Sequence, residues 1–279
     1  MNLKELFTKD GRRDRAIRNA CAKAKNKKIK PDDRSPALYA LYEEAIAWGE
    51  ARRAVENAPD DGDACAALEA QKRYGEMAVT GLLSRLTFVY DTNMVRDEEE
   101  KDNVYEWLVS LGVGILPVVR KHLRSASTLS WGLRLVTEIC DHETTWTVLE
   151  EVLQDFDPEY ERDPSRKIQI LNFMGDFVDP RAAEAMHRFI EDQDETVRYV
   201  VVESLFKHGD DSTREKLLEL LTSEEEESLR IKASIVEGFV EAGWQVRGFR
   251  GSVEKLLASH LPDYIVDGKG HIKLKKVRK

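Results

Sequence analysis

Four arginines stand on a grid of 32 residues: Arg134, Arg166, Arg198 and Arg230. They close the stretches SWGLR, DPSR, DETVR and ESLR, and each begins an apolar-rich segment: LRLVTEI, RKIQILNFM, RYVVVESLF and RIKASIVEGF. A second apolar segment follows in TTWTVLEEVLQDF (144–156), PRAAEAMHRFIEDQ (180–193) and STREKLLELLTS (212–223). A period of this length marks a supersecondary unit that buries its apolar face only by stacking on its neighbours. That leaves few folds open.

Apolar residues within each unit recur at steps of three and four, so the units are helix pairs. Leu217, Leu218, Leu220 and Leu221 form one stripe, with Arg214, Glu215, Lys216 and Glu219 largely on the other face. Val201, Val202, Leu205 and Phe206 form the matching stripe on the preceding helix. The run YVVV has the composition of a strand, but its register with three sister segments predicts helix. HGDD (208–211) and VDP (178–180) each end one helix and start another, with Asp supplying an N-cap oxygen. With 16 Gly and 8 Pro, the chain is also too poor in turn formers for an all-β fold.

The segment DETVRYVVVESLFKHGDDSTREKLLELL (194–221) resembles a HEAT repeat of the short bacterial kind, also seen in phycobilisome-lyase-like proteins. The shared features are acidic residues before Val-Arg, small or branched residues after it, a Gly-Asp turn and a Leu-rich second helix. The resemblance covers roughly 95–257, more loosely 33–90, and implies an all-α, armadillo-like α-solenoid of stacked antiparallel helix pairs. It also implies a structural ladder in which each repeated Arg pairs with an acidic residue at a neighbouring helix start, such as Asp163 or Asp194. Arg suits such fixed bidentate pairing. Alternatively, one Arg per repeat lines a surface that reads an acidic peptide or a phosphate backbone.

Outside the array, residues 1–30 predict a basic helical cap, 31–258 the repeats, and 259–279 a hairpin and basic tail. Two longer helices, 32–58 and 63–90, form a first irregular pair. In YIVDGKGHIKLK (264–275), Ile265, Ile272 and Leu274 alternate around DGKG, a hairpin signature.

Charge narrows the partners. Residues 1–30 hold eleven Lys/Arg against three Asp/Glu, or +8, and 244–279 hold nine against three, or +6. The chain total of −9 therefore leaves −23 for 31–243. Such a body repels phosphates, so nucleic acid is disfavoured except at the basic ends. The acidic runs Asp97–Glu100 and Glu224–Glu227 read as helix starts that complement the macrodipole.

The sequence holds no membrane-spanning run and no secretory leader, and its three cysteines (Cys21, Cys65, Cys140) lie far apart. A reducing cytosol is the expected compartment. No catalytic, metal or cofactor motif is found. His142-Glu143-Thr144-Thr145-Trp146 approaches a zincin motif, but Trp replaces the second His. Trp107, Trp131 and Trp146 fall on apolar helix positions and read as core.

The repeat breaks at EAGWQVRGFRGSVEKLL (241–257), where Trp244, Arg247, Phe249 and Arg250 share a glycine-punctuated loop. Such a loop has the composition of a binding hot spot. Equally, Trp244 and Phe249 could seal the array's end with both arginines solvated. The expected function is a non-catalytic protein-interaction scaffold for a partner of basic or mixed charge. Some HEAT-like bacterial alkylpurine DNA glycosylases place Trp, Arg and Asp in a DNA-facing cleft, and Trp131, Arg134 and Asp141 are of those types, so a nucleic-acid or base-excision protein is the alternative. A lyase is a third reading, because some HEAT-like proteins attach chromophores.

Overall fold

The computed structural model describes residues 9–90 and 94–275. The first eight residues of the basic cap, and the tail beyond 275, lie outside the described residues. The chain packs as two compact units, Met1–Val148 and Leu149–Lys279.

The first unit begins with α1 (Lys9–Ala24), α2 (Pro31–Asn57) and α3 (Gly62–Arg85). Helix α2 lies along α3, and α1 packs on both. Ile17, Ala20 and Ala24 are the buried face of α1. Gly75 lets α3 approach α2 closely, because a Cβ there would strike the Trp48 side chain. Helices α4 (Met94–Ser110), α5 (Leu116–Ser125) and α6 (Ser130–Ile139) follow, and α7 (His142–Leu153) runs across the division. Helix α4 packs on α2, α3 and α6, while α5 packs on α3 and α6.

A buried ionic network ties α2, α3 and α4 together. Arg34 and Arg85 are fully buried. Arg34 Nη1 donates to Glu100 Oε1 at 2.5 Å, and Arg85 donates to Asp97 Oδ1 at 2.5 Å and also to Glu100 Oε1. Lys101 pairs with Asp97 at 2.7 Å, and the Tyr90 N–H donates to Asp97 Oδ1 at 2.8 Å. The run Asp97–Glu100 does open a helix, as expected, with Asp97 in the first turn of α4, and its Asp97 and Glu100 serve the buried network as well. These two carboxylates sit in the first two turns of α4 but face inward, where buried guanidinium groups compensate their lost hydration.

The second unit holds α8 (Ser165–Asp176), α9 (Pro180–Met186), α10 (Glu195–His208), α11 (Arg214–Thr222), α12 (Leu229–Ala242) and α13 (Arg250–His260). Helix α10 packs on α8 and on α12, and the second helices fill in as α8 with α9, α11 with α12 and α11 with α13. This is the stacked-pair architecture expected from the repeat. YVVV is helical as predicted. Val197, Val200, Val201 and Val202 are all buried because α10 has a neighbour on each side, so its apolar face is wider than one amphipathic stripe.

Helix ends follow the punctuation. Asp179 and Asp194 are N-caps, and Asp194 Oδ1 accepts from the N–H groups of Thr196 and Val197. Gly209 and Gly243 close α10 and α12 in the left-handed conformation, φ 63° and 67°. The chain ends in an antiparallel hairpin, β1 (Tyr264–Val266) with β2 (Ile272–Leu274), in the register Tyr264 opposite Leu274.

Close packing of α8 on α10 rests on Gly175, whose hypothetical Cβ would meet the Ser204 side chain. Gly175→Ala is therefore expected to destabilise the protein by about 1–3 kcal/mol through overpacking, against the small gain Ala brings to an open helix site. Denaturant midpoints of the two proteins check this.

Candidate interaction surface

The four grid arginines do not share one role. Arg198 forms a bidentate pair: Nε and Nη2 donate to the two Glu226 carboxylate oxygens at 2.7 and 3.1 Å. Its Nη1 donates to the Asp192 carbonyl at 2.7 Å. Arg134 lies over the rings of Tyr105 and Trp131, Arg166 over Phe156, and Arg230 over Tyr199 at 3.6 Å. Three of the four thus meet aromatic faces.

The acidic partner of Arg198 is not the one expected from spacing. Asp194 caps its own helix, and Asp163 accepts locally from the Ser165 N–H at the start of α8. The carboxylates that reach across to the preceding repeat stand two residues before a cap. Asp192 pairs with the fully buried Lys167 at 2.8 Å, and Glu226 with Arg198. Each also accepts the N–H of its cap residue, Asp194 or Ser228. Here too an acidic run at a helix start, Glu224–Glu227, contributes a buried partner, Glu226. The patterns Asp-x-Asp (192–194) and Glu-x-Ser (226–228) carried that signal.

Burial pushes the Glu226 carboxyl upward, but Arg198 and the Ser228 N–H outweigh it and hold the group below the usual range. A carboxylate so depressed adds stability that is present above its unfolded value, about 4.3, and lost as pH falls through the folded value. Glu226→Gln is expected to be less stable than the wild type at neutral pH, with the gap narrowing as the solution is acidified. Denaturation midpoints across that range provide the check, and a gap that widens toward acid contradicts the pairing.

The loop residues divide into packed and exposed. Trp244 lies tilted against Phe206 and meets Phe239 edge-on, with ring centroids 5.5 and 5.6 Å apart, so it joins α10, α12 and the loop. The loop is pinned to the hairpin by the Val246 N–H, which donates to the Gly270 carbonyl at 2.8 Å, and by a bridge between Gln245 and His271. Arg247 and Arg250 are exposed, Arg247 donating to Gln245 and Arg250 pairing with Glu254 one turn along.

Phe249 is half-buried and edges a groove of about 650 Å³. The other walls come from the turn before α10, from α11 and from the turn before α12. The carboxylates of Glu191, Glu219 and Glu225 are exposed there and form no ion pair among the described residues. Arg198 is the groove's one cation, and Glu226 already holds it. The groove therefore offers free negative charge beside an aromatic edge, an arrangement suited to Lys or Arg side chains.

Among the described residues, no group of three or more His, Cys, Asp or Glu side chains converges to hold a metal, and no helix is long and apolar enough to cross a membrane. All three cysteines are free.

A family model of HEAT repeats matches residues 147–236. No curated protein matches the chain.

Proposed function

We propose that this chain, which carries HEAT repeats over residues 147–236, is a non-catalytic interaction scaffold that receives a basic or mixed-charge segment of a protein partner. The observation that supports this best is the groove edged by Phe249, where Glu191, Glu219 and Glu225 are exposed and form no ion pair among the described residues. Repeat arrays present extended surfaces of this kind, and complementary charge sets partner choice and association rate more than raw affinity. Arg247, on the same loop as Phe249, and Arg250, the first residue of α13, supply positive charge for acidic residues flanking the partner's basic segment.

Affinity capture with the wild type and with a Glu219→Lys/Glu225→Lys variant tests the proposal. Both positions are exposed, so the variant is expected to fold while losing partners that the wild type retains. An Arg247→Ala/Arg250→Ala variant is expected to lose a smaller set. Identical capture by all three proteins sinks the reading.

A further inference from the structure

A second groove, in the first unit, carries the opposite sign to the one edged by Phe249. It lies where α1, α3 and the first turns of α5 meet, and encloses about 610 Å³. Its floor is closed and apolar. Gly81 lets α3 approach α1, because a Cβ there would strike Cys21 Sγ, and the Cys21 thiol donates to the Met77 carbonyl at 3.4 Å. Ala22, Met77, Pro117 and Val118 supply apolar surface.

Cations stand around that floor. Arg18, Lys25, Arg73 and Lys121 all line the groove, and all are exposed. Arg18 and Arg73 share one carboxylate, Asp14, which accepts from them at 2.6 and 2.7 Å, so the trio keeps one net positive charge. Lys25 and Lys121 form no ion pair among the described residues. Glu76 is the one acid in the lining. Asp14 and Glu76 together offset two of the four cations, which leaves +2 here on a chain whose total is −9. The surplus is felt nearby. Burial pushes the Cys21 thiol up while Lys25 and Arg18 pull it down, and burial and Lys25 together hold the His122 imidazole below its ordinary value.

We infer that the groove between α1, α3 and α5 binds an acidic segment of a protein partner, seating an apolar side chain on the floor while flanking carboxylates meet Lys25 and Lys121. An apolar floor alone is indifferent to charge, and exposed cations alone hold little in water. Lysines set around an apolar hollow select a ligand that carries both chemistries. Nucleic acid fits less well. No lining residue is aromatic, so a base finds no platform, and the −23 carried by residues 31–243 repels a phosphate backbone. Free charge in the groove edged by Phe249 is negative, so the two grooves take different ligands and stand or fall independently.

Fluorescence anisotropy tests this with the full chain and a labelled, blocked peptide in which a leucine is flanked by glutamates. Counterparts carry glutamine in place of the glutamates, or alanine in place of the leucine, and a labelled DNA duplex is titrated separately. The parent peptide is expected to bind at low salt, the glutamine version roughly tenfold or more weakly, and the alanine version several-fold more weakly. Lys25→Glu/Lys121→Glu is expected to abolish binding. Lys25→Gln/Lys121→Gln, which only neutralises two exposed positions, is expected to weaken it several-fold, and Phe249→Ala to leave it unchanged. Absence of binding overturns the inference, as does either counterpart peptide matching the parent. Unchanged affinity in both lysine variants would place the peptide elsewhere and overturn it too. So would a duplex that binds more tightly than the peptide and is released by the same variants, which would make the groove a phosphate site.

Discussion

Replacing Arg85 with methionine is expected to lower the unfolding free energy by about 3–5 kcal/mol. Arg85 is fully buried and serves two carboxylates at once, Asp97 and Glu100, while its Nη1 donates to the Phe88 carbonyl at 3.1 Å. Methionine fills much of the volume but returns none of that charge. Asp97 keeps Lys101 and the Tyr90 N–H, and Glu100 keeps Arg34, so both stay buried with fewer donors. The desolvation they suffered on folding is then no longer offset. Arg250→Met provides the contrast, since Arg250 and Glu254 are each 47% exposed and their pair contributes little in water. Urea denaturation of the two variants gives both numbers. Equal, small losses would mean that the network of α2, α3 and α4 does not hold the first unit together.

The second unit has its own buried cation. Lys167→Met is expected to cost about 3–5 kcal/mol, because Lys167 Nζ serves the carboxylate of Asp192 and the carbonyls of Asp157 and Glu159 from a fully buried position. Adding Asp192→Asn is expected to recover about half of that loss. The amide removes the stranded charge and still accepts the Asp194 N–H, but nothing replaces the donor lost to the two carbonyls. A double-mutant cycle by denaturant unfolding measures the recovery. A double variant no more stable than Lys167→Met would show that the cost lies in packing rather than in charge.

These two clusters mark where sequence reasoning reaches its limit. The helix pairs of the second unit were legible because a stacked array repeats its own chemistry. The register of Arg166, Arg198 and Arg230, the left-handed Gly that closes α10 and α12 and the Asp caps of α9 and α10 recur at related positions, so one unit explains the next. The hairpin was legible from DGKG and the alternation of Ile265, Ile272 and Leu274 around it. The interior of the first unit was not, since Arg34, Arg85 and Glu100 meet across separations of 66 and 15 residues that no periodicity relates.

The ladder was half legible. Arg198 was in view, but its partner was sought at the helix starts, Asp163 and Asp194. A cap carboxylate already spends its oxygens on its own helix, so the inter-repeat partner falls to the acid two residues earlier. At the candidate site, the loop holding Phe249 stood out because it broke the repeat. The carboxylates facing it looked like ordinary helix-surface charge, and only the packing of α11 beside the turns before α10 and α12 brings them together.

Fluorescence anisotropy decides most directly whether this protein is an acidic scaffold. The full chain, and its Glu219→Lys/Glu225→Lys variant, would be titrated at low salt against a labelled lysine-rich peptide and, separately, a labelled DNA duplex. The wild type is expected to bind the peptide, more weakly as salt is added, and to leave the duplex free, while the variant loses most of its peptide affinity. Tight binding of the duplex by the wild type, with the peptide ignored, would contradict the scaffold reading and place the basic ends at the centre of its function.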